Sequence, residues 1–224
     1  MHLKLRRVAP VLLAMLVCLL VSANGYGATV DLATLLANPG FELGNQPVNP
    51  GDTVGCPIGW ICWAGSPTPG TTSYTVTSAQ YSAGPSDGLG AGLLTPGGTK
   101  AATCPTLVEG SCYLVQTGLG SYLAGNTYVL NLWVGTPLTL PLQNTTPVGP
   151  VSTLRVYFLG NGGGGLQATD IVPPAAGQWK LVTLTFTPGG GSVGQAIGVG
   201  IYAVSGGNNQ IVNFDLGTPC VCGP

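Results

Sequence analysis

The sequence predicts an all-β fold, because three features recur together along the chain. Short runs rich in Val, Thr, Tyr and Leu repeat, and many of them alternate apolar and polar residues with a period of two. Glycine and proline separate these runs and together make up a quarter of the 224 residues. Many short strands joined by Gly/Pro turns are typical of a β-sandwich or barrel. The 45% of hydrophobic residues argues against disorder despite the glycine content.

Strands are expected wherever this alternation is clearest. We expect them near residues 72–77, 89–94, 112–117, 127–135, 152–159, 166–171, 179–187, 195–204 and 210–216. One turn of helix is expected at Asp31–Ala37. The glycines at 162–165 and 189–191 are expected at turn tips rather than in phosphate-binding loops, because no lysine or helical pattern follows them. Five apolar faces are predicted, at Tyr128–Leu130–Leu132–Val134, Leu154–Val156–Phe158, Val182–Leu184–Phe186, Ile197–Val199–Ile201–Ala203 and Val212–Phe214–Leu216.

The first 23 residues have the pattern of a secretory signal peptide. Lys4, Arg6 and Arg7 form a positive region, residues 8–21 form an apolar run, and small residues precede a cleavage site after Ala23. The apolar run of about 14 residues is shorter than the roughly 20 that span a bilayer, which argues against a membrane anchor. We therefore expect a signal peptide at 1–23 and a single β-sandwich domain at 24–224, ending in a short cysteine-containing tail. The protein is expected to be secreted, either extracellular or on the cell surface.

The charge of the predicted mature chain and its lack of histidine exclude several function classes. Lys100, Arg155 and Lys180 are its only basic residues, and all seven acidic residues remain, so its net charge is −4. Nucleic acid is not an expected partner, because neutralising phosphates requires clustered Lys and Arg. His2, the only histidine, is lost with the leader. The mature chain therefore cannot run a Ser-His-Asp or Cys-His mechanism, nor build a zinc site on imidazole.

Six cysteines remain after the leader is removed, and an even number in an exported chain indicates disulfides. Six cysteines allow 15 pairings. Local pairing is the simplest, and each short loop so closed contributes roughly 2–2.5 kcal/mol. A bond between the last two cysteines would form a strained ring, so their pairing stays open. The simplest scheme pairs Cys56 with Cys62 and Cys104 with Cys112, and leaves Cys220 and Cys222 undetermined.

A series of short motifs resembles the galactose-binding-like jelly rolls, which include carbohydrate-binding modules of the xylan and glucan type. In those modules an N-x-G-F-E opening and a G-W pair precede an A-G-x-T-Y-x-L strand, a W-x-x-V-T strand and a closing strand with an aspartate. The resemblance implies a two-sheet antiparallel β-sandwich of jelly-roll topology. The chain departs from the family after Asp215, where Leu216–Pro219 replaces the usual Asp-rich continuation. The matching segments here are Asn38–Glu42, Gly59–Trp60, Leu123–Leu130, Gly177–Thr183 and Asn213–Asp215.

The same resemblance implies a structural calcium ion that joins the first and last strands. By position in the motifs, its carboxylate ligands would be Glu42 and Asp215. Calcium accepts six to eight oxygen ligands, including backbone carbonyls from irregular loops. The alternative interpretation is that Glu42 is a capping acid and Asp215 a solvated strand end.

A saccharide is the predicted partner, since an aromatic plane can receive the apolar face of a pyranose while amides and charges bind its hydroxyls. Trp60 and Trp179 are assigned mainly to the core. If the outward faces of the strands at 127–135 and 152–159 belong to one sheet, their side chains form a binding platform together with the preceding loops. The predicted carbohydrate-binding residues are Trp63, Tyr81, Asn131, Trp133, Arg155 and Tyr157.

Two alternatives to a non-catalytic carbohydrate-binding module stay open. The calcium-dependent indole-terpenoid cyclases (Stig cyclases) of cyanobacteria resemble carbohydrate-binding modules and also carry N-F-D near the end. In that interpretation Asp215 is a general acid with its pKa raised by burial, and Tyr113 or Tyr157 orients the substrate. The other alternative is a structural coat or matrix subunit whose exposed edge strands pair between copies.

Overall fold

A computed structural model describes residues 27–43, 45–46, 56–62, 72–75, 100–105, 113–140, 143–147, 153–204 and 211–216. The described part of the chain is built almost entirely of β-strands, with two single turns of 3-10 helix at Leu32–Thr34 and Asn161–Gly163. In chain order the strands are β1 (Thr29–Asp31), β2 (Asn45–Gln46), β3 (Cys56–Pro57), β4 (Ile61–Cys62), β5 (Thr72–Thr75), β6 (Lys100–Pro105), β7 (Tyr113–Ser121), β8 (Thr127–Thr136), β9 (Thr139–Leu140), β10 (Gln143–Pro147), β11 (Leu154–Leu159), β12 (Gly165–Ile171), β13 (Gln178–Phe186), β14 (Ala196–Ala203) and β15 (Ile211–Asp215).

The first sheet has six strands and is organised around β8. Strand β13 pairs antiparallel with β8 over its length, from Phe186 opposite Tyr128 to Gln178 opposite Thr136. Strands β1 and β15 also pair with β8, at its beginning and towards its end, and only β1 is parallel to it. Strands β6 and β5 continue the sheet beyond β15.

The second sheet has five strands in the order β12-β11-β14-β7-β4, and all of its pairs are antiparallel. Two further two-stranded ladders join β9 with β10 and β2 with β3. Apolar residues of both large sheets belong to one buried cluster, so the sheets pack face to face. Aromatic rings join them, because Phe158 of β11 stacks on Phe186 of β13 with ring centroids 5.3 Å apart.

Period-two alternation places the core correctly. Tyr128, Leu130, Leu132 and Val134 of β8 are all buried in the central cluster. The predicted apolar residues of β11 and β13, and Ile197, Val199 and Ile201 of β14, are buried in the same cluster or packed against it. The prediction of a two-sheet antiparallel β-sandwich is thereby confirmed. Eight of the expected strands coincide with β5, β7, β8 and β11–β15, whereas the one at 89–94 lies outside the described residues.

The segment after β1 is fixed onto the second sheet by side-chain hydrogen bonds. Asp31 caps the first 3-10 turn by accepting a hydrogen bond from the Ala33 N–H, as the helical turn expected there requires. The buried side chain of Gln116 on β7 accepts from the Ala37 N–H at 2.9 Å and donates to the Ala37 carbonyl at 2.6 Å. This amide imitates a strand partner, because it satisfies both backbone groups of one residue.

A disulfide joins Cys56 and Cys62, with Cα atoms 5.6 Å apart, as the local pairing predicts. It links β3 to β4, the edge strand of the second sheet. The Cys104 backbone lies in β6. The predicted leader at 1–23 lies outside the described residues, as do Cys112, Cys220 and Cys222. None of the helices in the described residues is long and apolar enough to cross a membrane.

Candidate functional site

The outward face of the second sheet carries a continuous row of polar and aromatic side chains. Tyr113 of β7 lies opposite Tyr202 of β14, Tyr202 lies opposite Arg155 of β11, and Arg155 lies opposite Asp170 of β12. The neighbours of these residues along each strand, such as Leu114, are in the core, so strand alternation points the row outward. We call Tyr113, Tyr202, Arg155 and Asp170 the Tyr/Arg row. With adjacent strands 4.7–4.9 Å apart, a row across four strands is about 14 Å long.

The members of the row are in contact with one another. The Tyr113 and Tyr202 rings meet edge to face with centroids 6.2 Å apart. Arg155 and Asp170 form a bidentate pair, with Nε donating to Oδ1 at 2.5 Å and Nη2 donating to Oδ2 at 2.7 Å. Tyr157, the next outward residue of β11, is a further hydrogen-bond partner of Arg155. Burial and the proximity of Tyr157 raise the pKa of Tyr113 above its ordinary value.

A glycine lies beside the row, between its two outer strands. Gly200 of β14 lies opposite Tyr157 on one side and Val115 on the other. A Cβ atom at Gly200 would lie 3.2 Å from Leu159 Cδ1, so the absence of a side chain lets Leu159 lie close to the sheet. Leu159 and Val115, the apolar side chains beside Gly200, are themselves buried, whereas the tyrosines and the Arg155–Asp170 pair are at least partly exposed.

The expectation of a single binding platform is wrong. Arg155 and Tyr157 belong to β11 of the second sheet, whereas Asn131 and Trp133 belong to β8 of the first sheet. Because the core lies between the sheets, the two pairs point to opposite sides of the sandwich. Asn131 accepts a hydrogen bond from the Thr183 hydroxyl at 2.8 Å. The other two predicted residues, Trp63 and Tyr81, lie outside the described residues.

The outward face of the first sheet holds a buried acid beside a buried indole. Asp215 of β15 lies directly opposite Trp133 of β8, so their side chains share that face. Asp215 is fully buried and Trp133 is 3% exposed, although neither belongs to the central cluster. Within the described part of the chain, the Trp133 Nε1 has no hydrogen-bond partner. Trp179 lies opposite Gly135 on the same face and is buried, as its assignment to the core predicts, although it lies outside the central cluster.

The opening loop and the end of the last strand meet, as the calcium expectation requires. The Leu216 N–H donates to the Pro39 carbonyl at 3.1 Å. Glu42 Oε1 accepts from the Lys100 N–H at 2.7 Å, and Lys100 Nζ donates to the Glu42 carbonyl at 3.0 Å. Carboxylates and carbonyls are the donors calcium prefers, so Glu42 and Asp215 fit the ion chemically. Among the described residues, no group of three or more His, Cys, Asp or Glu side chains forms.

Sequence reasoning gave Asp170 and Tyr202 no role, although both lie in the Tyr/Arg row. Alternation indicates that Arg155 and Tyr157 share the outward face of their strand. Their neighbours across the sheet depend on the register of β11 with β12 and β14, which no local pattern determines. The only available signal was that Asp170 and Tyr202 each alternate with an apolar residue in an expected strand.

No protein-family profile and no curated protein matches the chain. Among solved structures, a cyclase from Fischerella sp. TAU is 22% identical, with a TM-score of 0.60 over 80% of this chain and 92% of the cyclase. A cyclase from Fischerella sp. TAU in complex with 4-(1H-indol-3-yl)butan-2-one is 24% identical, with a TM-score of 0.59 over the same shares. A third structure, TmCBM61 in complex with β-1,4-galactotriose, is 16% identical, with a TM-score of 0.45 over 81% of this chain and 94% of that one. At these identities the cyclase likeness shows the fold alone.

Proposed function

We propose that the chain is an exported, non-catalytic protein that binds poly- or oligosaccharides on the outward face of its second sheet. The observation that carries this proposal is the Tyr/Arg row, which places two tyrosines and a hydrogen-bonded charged pair side by side on four strands. A pyranose needs both elements, an aromatic surface for its C–H face and polar groups for its hydroxyls.

The exposure of the row supports the same function. The side chains of Arg155 and Asp170 are 34% and 47% exposed, so both remain accessible to a ligand from solvent. Tyr113, Tyr157 and Tyr202 are each partly exposed. Trp133, by contrast, is buried, so it is not part of this proposed sugar surface.

A glycan array followed by calorimetry on the best ligand tests the proposal. We expect Tyr202→Ala to weaken binding about tenfold, which corresponds to about 1.4 kcal/mol and to the loss of one stacking surface. Thr183→Ala is the matched control, since Thr183 is exposed on the outward face of the other sheet. Equal affinities for wild type and Tyr202→Ala, with unchanged circular dichroism, would contradict the assignment of the site.

We also propose that Glu42 and Asp215 hold a structural calcium ion at the junction of the chain's two ends. Chelation is expected to lower the melting temperature, and calcium to restore it. At a concentration 100-fold above Kd, the ion would stabilise the fold by about 2.7 kcal/mol. Glu42→Gln should remove most of this response, whereas Asp31→Asn, which keeps a capping oxygen, should retain it. A melting temperature that ignores both chelator and calcium would refute the site.

A small-molecule cyclase of the indole-terpenoid type is the second candidate, and the buried pair of Asp215 and Trp133 favours it. A carboxyl group shielded from water can act as a general acid. We expect the chain to bind 4-(1H-indol-3-yl)butan-2-one and Asp215→Asn to abolish turnover of an indole-terpenoid while leaving that binding intact. If wild type shows neither binding nor turnover, this candidate fails. A calcium response that survives in Asp215→Asn would show that Asp215 is not a metal ligand.

Self-association through edge strands, as in a coat or matrix subunit, stays a prediction. Edge strand β12 reaches towards β13 through Gln167, whose Nε2 donates to the Thr185 carbonyl at 3.1 Å. A covered carbonyl is one less group for pairing with another chain. Self-association is tested by sedimentation of the wild type and of Gln167→Ala over a hundredfold concentration range. Larger species that grow with concentration are expected if edge strands pair between copies.

A further inference from the structure

The Arg155–Asp170 pair carries no net charge but still has unused hydrogen-bond donors and acceptors. The pair uses Arg155 Nε and one N–H of Nη2, together with both carboxylate oxygens of Asp170, and Tyr157 is a further hydrogen-bond partner of the guanidinium. A guanidinium carries five N–H donors and a carboxylate about four acceptor positions. Donors and acceptors therefore remain next to each other at the exposed end of the Tyr/Arg row.

No other charge lies on the five strands of the second sheet. In β4, β7, β11, β12 and β14, the only charged residues are Arg155 and Asp170. The other two basic residues of the predicted mature chain, Lys100 and Lys180, belong to β6 and β13 of the first sheet. The row therefore has a net charge of zero, and these strands carry no unpaired cation that would attract a negatively charged ligand.

A sugar hydroxyl matches such a pair because it donates one hydrogen bond and accepts others. One hydroxyl can accept from the guanidinium while its neighbour donates to the carboxylate, and the tyrosines supply the surface for the ring. A uronate, in contrast, would bring its negative charge up to Asp170.

We propose that the row selects uncharged saccharides with vicinal hydroxyls over uronic saccharides, and that the Arg155–Asp170 pair is the element that discriminates. This inference rests on the proposed carbohydrate-binding function. The hydrogen bonds from Arg155 lower the pKa of Asp170, so the pair stays ionised and neutral overall near pH 7.

The test is an array of matched oligosaccharides that differ only at C6. Tetramers of β-1,4-linked glucose, mannose and galactose are each presented in the neutral form and as the C6-oxidised uronate. Wild type is expected to bind at least one neutral tetramer about tenfold more tightly than its uronate. Asp170→Asn leaves Arg155 uncompensated, and should shift this ratio at least tenfold towards the uronate, in a manner that added salt reverses. Asp31→Asn changes the net charge equally and should leave the ratio unchanged.

Each outcome decides a separate claim. A wild-type preference for uronates overturns the selectivity while leaving carbohydrate binding in place. If Asp170→Asn leaves the ratio of neutral to uronate affinity unchanged, the pair does not discriminate between the two forms. The double variant Arg155→Gln/Asp170→Asn is the control. Because it lacks both charges, its affinity for uronates should not increase. If wild type binds no glycan of either form, the proposed function fails and the inference fails with it.

Discussion

The hydrogen bonds between Gln116 and Ala37 make a prediction about stability that can be worked from the structure. Gln116 is 5% exposed and faces the core from β7, where it lies opposite Val199. Its amide bonds both backbone groups of Ala37, 79 positions earlier in the sequence. Gln116→Leu introduces an apolar side chain of similar size and removes both hydrogen bonds.

The expected loss of stability follows from two part-buried hydrogen bonds. Each contributes about 0.5–1.5 kcal/mol net, so Gln116→Leu should lose about 1–3 kcal/mol of unfolding free energy. For a chain of this size, that is a fall of about 2–12 °C in melting temperature. The loss should also loosen the segment after β1, which leads into the loop that contacts Leu216 through Pro39.

Urea unfolding followed by tryptophan fluorescence measures this cost. Gln167→Leu, which removes an exposed hydrogen bond, is the control and should stay within about 0.5 kcal/mol of wild type. Gln116→Glu adds a pH signature: its carboxylate would face the Ala37 carbonyl, so burial should raise its pKa and a protonated side chain could restore both bonds. Its deficit relative to wild type should therefore grow as pH rises through that raised pKa. A Gln116→Leu variant as stable as wild type would refute the reasoning.

Three further predictions follow from named groups. Replacing both Cys56 and Cys62 by Ser should cost about 2–2.5 kcal/mol by urea unfolding, as expected for a short loop. Burial raises the pKa of Tyr122 to about 12, so the stability it contributes is complete below its ordinary pKa near 10 and is lost as pH rises towards 12; Tyr122→Phe should flatten that part of the alkaline unfolding curve. Since Arg155 lowers the pKa of Asp170, saccharide affinity should stay constant by calorimetry from pH 8 to pH 5 and fall only below the ordinary carboxyl pKa of about 3.9.

The sequence alone was sufficient to predict the strands in which apolar and polar residues alternate strongly. In β8, β11, β13 and β14, apolar residues recur at alternate positions, and most of those positions belong to the core or pack against it. Strand β6 was missed because Lys100–Pro105 lacks both β-branched alternation and large apolar residues. It is a strand because β15 and β5 pair with it on its two sides, a tertiary effect that local propensity does not record.

The candidate site was predicted only in part for a related reason. Alternation correctly turned Arg155 and Tyr157 outward, and also Asn131 and Trp133. It does not say which sheet a strand joins, and β8 and β11 joined different ones. Nor does an outward direction guarantee exposure, because Trp133 is buried on the outer face of its sheet. The partners of Arg155 required the register of three strands, which depends on the packing of the whole core.

The two outward faces differ in what they can accept, and this difference separates the two candidate functions. The Tyr/Arg row is exposed and hydrogen-bonded, which suits a ligand that is itself solvated and rich in hydroxyls. Around Trp133 and Asp215 the acid and the indole are withheld from water, so a hydrated polymer would lose its solvation without reaching either group. A small apolar molecule that enters that face would instead meet an indole N–H that has no hydrogen-bond partner among the residues that the structure describes. Because the core lies between the faces, Tyr202→Ala and Asp215→Asn should affect the two kinds of ligand independently.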